Sequence, residues 1–250
     1  MIPQHANCAS APTPRAAANL SAQSAEEFIY LISHDVRSSV RALLELPQWI
    51  AEDLEEAGFD MGGPIADSID MMNRHTRRLD RMLVDLLTYS RVGRMQTLGE
   101  VDIDLALDLA LEALAIPPEF KVERDFLSGN VFMGDRDAQT LLTALIDNAV
   151  KHHDQQTGRI TVSARGEAGM FVLTVTDDGP GIAPAFHERV FQPMTTLRSR
   201  DDVEGTGLGL ANVRKIAEHY GGRAELLPAP QGRGAAVEVR IYPAALPAAE

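Results

Sequence analysis

VTDDGPGI (Val175–Ile182) and EGTGLGLANV (Glu204–Val213) are the two glycine clusters around which the 250-residue chain is organised. The first closes an apolar β-type run, Met170–Val175, and ends in Asp177-x-Gly179-x-Gly181. Glycine tolerates φ > 0 and lets backbone approach a ligand closely, and a carboxylate fixed at a strand end accepts a hydrogen bond from an amine. The second sets Gly205, Gly207 and Gly209 at the start of a helical pattern carried by Leu210, Val213, Ile216 and Ala217. Bare N–H groups at a helix N-terminus form an anion site suited to phosphate. One cluster suits a base and the other its phosphates, although either alone is more often a turn.

A third element changes the balance. Leu141–His152 (LLTALIDNAVKH) reads as an amphipathic helix with Asn148 and Lys151 one turn apart. An amide oxygen suits Mg²⁺, and a lysine offsets phosphate charge. Helix with Asn, then D-x-G-x-G, then a Phe-containing segment, then G-x-G-x-G resembles, in this order, the ATP-binding domain of sensor histidine kinases. DNA gyrase B, the heat-shock chaperone ATPases and the mismatch-repair ATPases share that fold. The resemblance implies ATP and Mg²⁺ as cofactors, with the metal on Asn148 and with Lys151 and His152 beside the nucleotide. It implies that Asp177 accepts from the adenine amine and that Gly179 and Gly181 let the chain pass the base. Gly205, Gly207 and Gly209 would cradle the phosphates. Phe191 resembles the family's lid phenylalanine, or an apolar anchor for the lid base, ahead of the polar run Thr195–Glu204. Ala144 departs from the pattern, standing where the family has the first of two asparagines.

The front of the chain separates the kinases from their relatives. Apolar residues recur at threes and fours, broken only near Ser39, through Ile29, Ile32, Val36, Leu43, Leu46, Ile50 and Leu54, with Ser24 and Glu27 as a capping box. After GFDMGGP (Gly58–Pro64) a second seam runs through Ile65, Ile69, Met72, Thr76, Leu79, Leu83 and Leu86. Two such helices make an antiparallel hairpin whose apolar stripe needs a second copy, so a homodimeric four-helix bundle is expected. Pro47 is expected to kink the first helix. Ser33-His34-Asp35-Val36-Arg37-Ser38-Ser39 resembles the phosphoacceptor box of histidine kinases. Neutral imidazole is a nucleophile near neutral pH, and an adjacent carboxylate orients it. The resemblance assigns His34 as acceptor, Asp35 as general base and Ser38 as the residue that positions water for dephosphorylating a partner.

The expected fold is thus α plus α/β: the dimeric hairpin, then an α/β sandwich with helices on one sheet face. Its parts are a disordered leader (1–22), the hairpin (23–92), the ATP-binding domain (93–245) and a tail (246–250). Within the domain, helices are expected over Asp104–Ala115, capped by Asp104, and over Gly205–Tyr220.

Composition narrows the partners. A net charge of −13 argues against nucleic acid and against anionic membranes. The lone Cys8 excludes an intramolecular disulfide, and no apolar run reaches spanning length, so a cytoplasmic protein is expected. The leading reading is a two-component histidine kinase core that autophosphorylates His34 and passes the phosphoryl group to a response-regulator receiver domain. Its input would come from a separate sensor protein, if the chain is complete. The alternative is a non-catalytic histidine phosphotransfer or scaffold protein with a degenerate ATP domain, which Ala144 favours. An ATPase or serine kinase of the same fold is disfavoured by the His-bearing hairpin.

Overall fold

A computed structural model describes residues 14–59, 62–94, 96–126, 130–197, 205–228 and 232–242. Helix α1 spans Pro14–Glu56 and α2 spans Pro64–Arg91. The helix therefore begins inside the stretch expected as a leader, and Ser24 lies in its interior rather than at its cap. The physical reason is the run Arg15-Ala16-Ala17-Ala18, since extending an existing helix through alanines costs little. Pro47 is accommodated without ending α1. Residues 1–13 and 243–250 lie outside the described residues, as do those expectations that fall on them. Among the described residues no helix is long and apolar enough to cross a membrane.

In the second part β1 (Leu98–Asp102) pairs antiparallel with β3 (Asn130–Gly134) in a small sheet of their own. A five-stranded sheet has the order β2-β4-β5-β7-β6, built from β2 (Phe120–Phe126), β4 (Gly158–Glu167), β5 (Met170–Asp177), β6 (Arg223–Leu227) and β7 (Ala236–Ile241). Strand β2, which runs parallel to β4, was not expected. Its FKVERDF sequence is the charged edge of the sheet, and charge on an edge hides its β character while discouraging further pairing. Helices α3 (Ile103–Ala113), α4 (Asp135–Lys151) and α5 (Gly209–His219) bury Leu107, Leu141, Leu142, Ile146, Val213 and Ile216 in the core with the sheet. On the sheet, Phe171, Leu173 and Val175 alternate into that core, as a strand covered on one face requires.

Two helix starts differ from expectation. Asp102, not Asp104, caps α3, its carboxylate accepting from the N–H groups of Asp104 (2.9 Å) and Leu105 (3.4 Å). Asp104 instead joins Asp108 in holding Arg124 of β2. Helix α5 starts at Gly209 rather than Gly205 because Gly207 takes φ 74, outside the helical region.

A buried polar knot joins the segment just after α2 to the domain. Asp137 of α4, 2% exposed, accepts from the Tyr220 hydroxyl (2.8 Å) and from the Gly93 N–H (3.0 Å), while the Gly134 N–H donates to the same hydroxyl (3.0 Å). Burial pushes the Tyr220 phenol above its ordinary pKa, so it stays a donor. Tyr220→Phe strands both the Gly134 N–H and one side of Asp137, and a loss of about 1–3 kcal/mol is expected. Urea unfolding followed by circular dichroism checks it; a midpoint equal to wild type would show the knot to be dispensable.

Candidate nucleotide site

A cavity of about 520 Å³ opens between α4, α5, the end of β5 and one face of α2. At one end stands Asp177. Its Oδ1 accepts from the N–H groups of Gly179 (2.9 Å) and Ala235 (3.1 Å), and Oδ2 has no hydrogen-bond partner among the described residues. Burial raises its pKa, and the two amides and His153 only partly offset that. A half-buried acceptor with one oxygen anchored and the other open is suited to an exocyclic amine. Gly181 follows with φ 74, and a Cβ there would lie 2.6 Å from the Gly234 carbonyl, so the chain can take this path only with glycine.

At the other end lie Gly205, Thr206, Gly207 and Gly209 from the α5 approach, opposite Asn148 and Lys151 of α4. A Cβ on Gly207 would meet the Thr195 carbonyl at 2.6 Å, which holds the loop close to the segment before it. The Lys151 Nζ lies 2.5 Å from Asp147, one turn back on the same helix. His152 also lines the cavity.

The structure separates the remaining expected residues. Gly179 is buried behind the cavity wall, where a Cβ would lie 3.1 Å from the His153 ring. Phe191 is 2% exposed and belongs to the core, with Arg214 stacked 4.8 Å over its ring and Val190 lining the cavity instead. It is thus placed as an anchor for the segment, and residues 198–204 lie outside the described residues. Asp35 and Ser38 are exposed on α1 and do not line the cavity. The Ser38 hydroxyl donates to the Asp35 carbonyl (2.7 Å). His34 is on the same helix, and its side chain is outside the described residues.

Three features escaped the sequence reading. Arg78, Arg81, Asp85 and Thr88 of α2 line the cavity. Their spacing of three, four and three is one polar helix face, a signal that was present but pointed at no partner. Thr206 donates its hydroxyl to Asp85, and Lys215 of α5 donates to the Tyr89 carbonyl (2.6 Å) while stacking 4.3 Å over the Tyr89 ring. Burial raises the Asp85 pKa, and the Thr206 hydrogen bond and Lys151 offset part of that rise. Second, His153 is a buried post: it contacts Asp178 Oδ1 (3.1 Å) and packs edge-on against Phe120. Burial alone would raise the Asp178 pKa, but the Arg159 amide and His153 outweigh it and hold it low. Third, Arg233 donates to the Asp178 carbonyl (2.9 Å) and to Asp154 (2.6 Å), tying the β6–β7 loop to the same strand end.

The donor set fits a divalent cation held mainly by a ligand's own phosphates. Among the described residues no cluster of three His, Cys, Asp or Glu side chains could hold a metal, and Asn148 offers one amide oxygen to the cavity.

Residues 134–245 match the family described as histidine kinase-, DNA gyrase B-, and HSP90-like ATPase. The methanogenesis regulatory histidine kinase FilI of Methanothrix harundinacea is 32% identical over 85% of this chain, which spans 24% of that protein. Full-length ShkA in complex with AMPPNP superposes with a TM-score of 0.63 at 22% identity, over 86% of this chain and 45% of that one. Histidine kinase ThkA in complex with the response regulator protein TrrA superposes with a TM-score of 0.56 at 18% identity, over 87% of this chain and 62% of that one. At these identities the two superpositions bear on fold. The chain spans about a quarter of the first curated relatives it matches. With its helical hairpin followed by an ATPase domain of this family, the chain belongs to the histidine kinases as a catalytic core.

Proposed function

We propose that the protein is an ATP-dependent histidine kinase that phosphorylates His34 and passes the phosphoryl group to an aspartate of a response-regulator receiver domain. The observation that carries this reading is the cavity itself, with the anchored Asp177 acceptor at one end and the glycine loop with Asn148 and Lys151 at the other. In the transfer step an imidazole nitrogen of His34 attacks the γ-phosphorus, the bond to ADP breaks, and Asp35 takes the imidazole proton. Asn148 would hold Mg²⁺, which neutralises charge developing on the phosphates. Ser38 lies four residues after His34, one turn along α1, where its hydroxyl can position water against a docked phosphoaspartate. ThkA in complex with TrrA supports the choice of a response regulator as partner. A homodimer is proposed because Ile32, Val36, Leu43, Leu46 and Ile50 leave an apolar stripe exposed on α1. In this docked arrangement Asp35 and Ser38 do not border the cavity, so transfer requires the ATP domain to leave α2 and approach the acceptor.

Incubation with γ-labelled ATP tests the reading. Wild type is expected to acquire an acid-labile label and His34→Ala none; a labelled His34→Ala protein sinks the acceptor assignment. Addition of phosphorylated regulator extends the assay, with slower dephosphorylation expected for Ser38→Ala.

Asp177→Asn separates binding from folding. A raised carboxylate pKa means that ionised Asp177 opposes folding, a contribution favourable at low pH and lost as pH rises through the folded-state pKa. At pH 7 the variant should therefore melt no lower than wild type. Its ADP affinity should fall about 10- to 100-fold, because a hydrogen bond to a charged group contributes about 1.5–3 kcal/mol. Calorimetry showing equal affinity would remove Asp177 from base recognition.

Asp85→Asn should act in the opposite direction. It keeps an acceptor for Thr206 but removes a negative charge beside the phosphate loop, so ADP should bind about three- to tenfold more tightly at pH 7. The difference should shrink as pH falls through the raised Asp85 pKa and wild type is neutralised as well. Weaker binding by the variant would show that the carboxylate assists nucleotide instead.

A further inference from the structure

One buried imidazole stands behind the cavity wall and is engaged through both ring nitrogens. His153 follows the last residue of α4 by two, its side chain is 1% exposed, and it does not line the cavity. Its Nε2 lies 3.1 Å from Asp178 Oδ1. The Asp178 carboxyl is held below its ordinary pKa, so at neutral pH it can only accept. The nitrogen that faces it therefore carries a proton and donates. On the other side Nδ1 lies 3.1 Å from both the amide nitrogen and the carbonyl oxygen of Gln155, so it has a partner whether or not it is protonated.

This ring reaches the Asp177 carboxylate by two short routes. Asp178 is the next residue in the chain, and the Arg159 N–H (2.8 Å to the same oxygen) and Arg233 (2.9 Å to the backbone carbonyl) hold it together with His153. Gly179 then passes across the ring, where a Cβ would lie 3.1 Å from His153 Cδ2. The Gly179 N–H is one of the two donors that anchor Asp177 Oδ1. A ring that bonds Asp178 and backs Gly179 sets where the Asp177 carboxylate stands, without touching a ligand. Hydrogen bonds weaken steeply with misalignment, so a small displacement of that carboxylate is costly.

We propose that His153 is a positioning residue for base recognition: its Nε2–H holds Asp178, and its ring backs Gly179, so that Asp177 meets the exocyclic amine of the nucleotide. This rests on the nucleotide reading above and deepens it, since discrimination of the base then depends on a side chain outside the cavity.

Calorimetry with ADP and with purine riboside diphosphate, which lacks only the exocyclic amine, decides it. Wild type is expected to bind ADP about tenfold more tightly than the amine-free ligand. His153→Leu should lose about tenfold for ADP and stay within about twofold of wild type for the amine-free ligand. His153→Gln, whose amide nitrogen offers a donor to Asp178 in place of Nε2, should hold ADP within about threefold of wild type. Asp178→Ala removes the other partner from a half-exposed side chain, should reproduce the leucine result, and carries the test if His153→Leu does not fold. Unchanged ADP affinity in His153→Leu or Asp178→Ala overturns the proposal. So does a loss falling equally on both ligands, which marks a merely structural residue, or a glutamine variant as weak as leucine. Wild type that binds the two diphosphates equally removes Asp177 from base recognition and the proposal with it; wild type that binds neither overturns the nucleotide reading itself.

Discussion

The register of β4 against β5 is the constraint on which the site depends. Ile160 faces Asp177 at one end of the ladder and Glu167 faces Met170 at the other, where Ala168 (φ 49) and Gly169 (φ 78) close the hairpin. Two central residues with positive φ make the tight turn that matches strand twist and fixes pairing. A slip by one residue would turn Phe171, Leu173 and Val175 out of the core and carry Asp177 away from the amides of Gly179 and Ala235. The opposite face of the sheet tolerates charge, and there Glu238 lies between Arg165 (3.5 Å) and Arg240 (2.6 Å).

The corner between α4, the α5 approach and α2 is held by opposing charges of the protein's own. Lys151 pairs with Asp147, Thr206 with Asp85, and Arg81 lies near Asp85. Asp85 and Thr206 both line the cavity and tie α2 to the α5 approach, so the contact that docks the helix is part of the cavity wall.

The hairpin shows the complementary situation, an apolar surface without a cover. Leu83 and Leu87 are buried near the domain, whereas Leu43, Leu46, Ile50, Met71 and Met72 are exposed toward the loop end. Hydrophobic burial is what makes one amphipathic hairpin insufficient by itself.

Much of the fold was legible in residue patterns because local physics writes them. Helical spacing marked the hairpin and α4, and alternation marked β4 and β5. The glycines at 181 and 207 stand where backbone passes too close for a side chain. Capping was legible only in kind: an aspartate starts α3, but Asp102 and Asp104 are equivalent until Arg124 of a distant strand claims one of them. Position across the chain was decided by tertiary structure alone. Nothing near Asp85 in sequence indicates that Thr206 will meet it, and nothing near Phe191 tells a core anchor from a cavity wall. The sequence by itself determined which chemical groups the chain owns and how each segment folds; the packing of α4, α5 and α2 around one cavity decided which of them meet, because burial and charge act through space rather than along the chain.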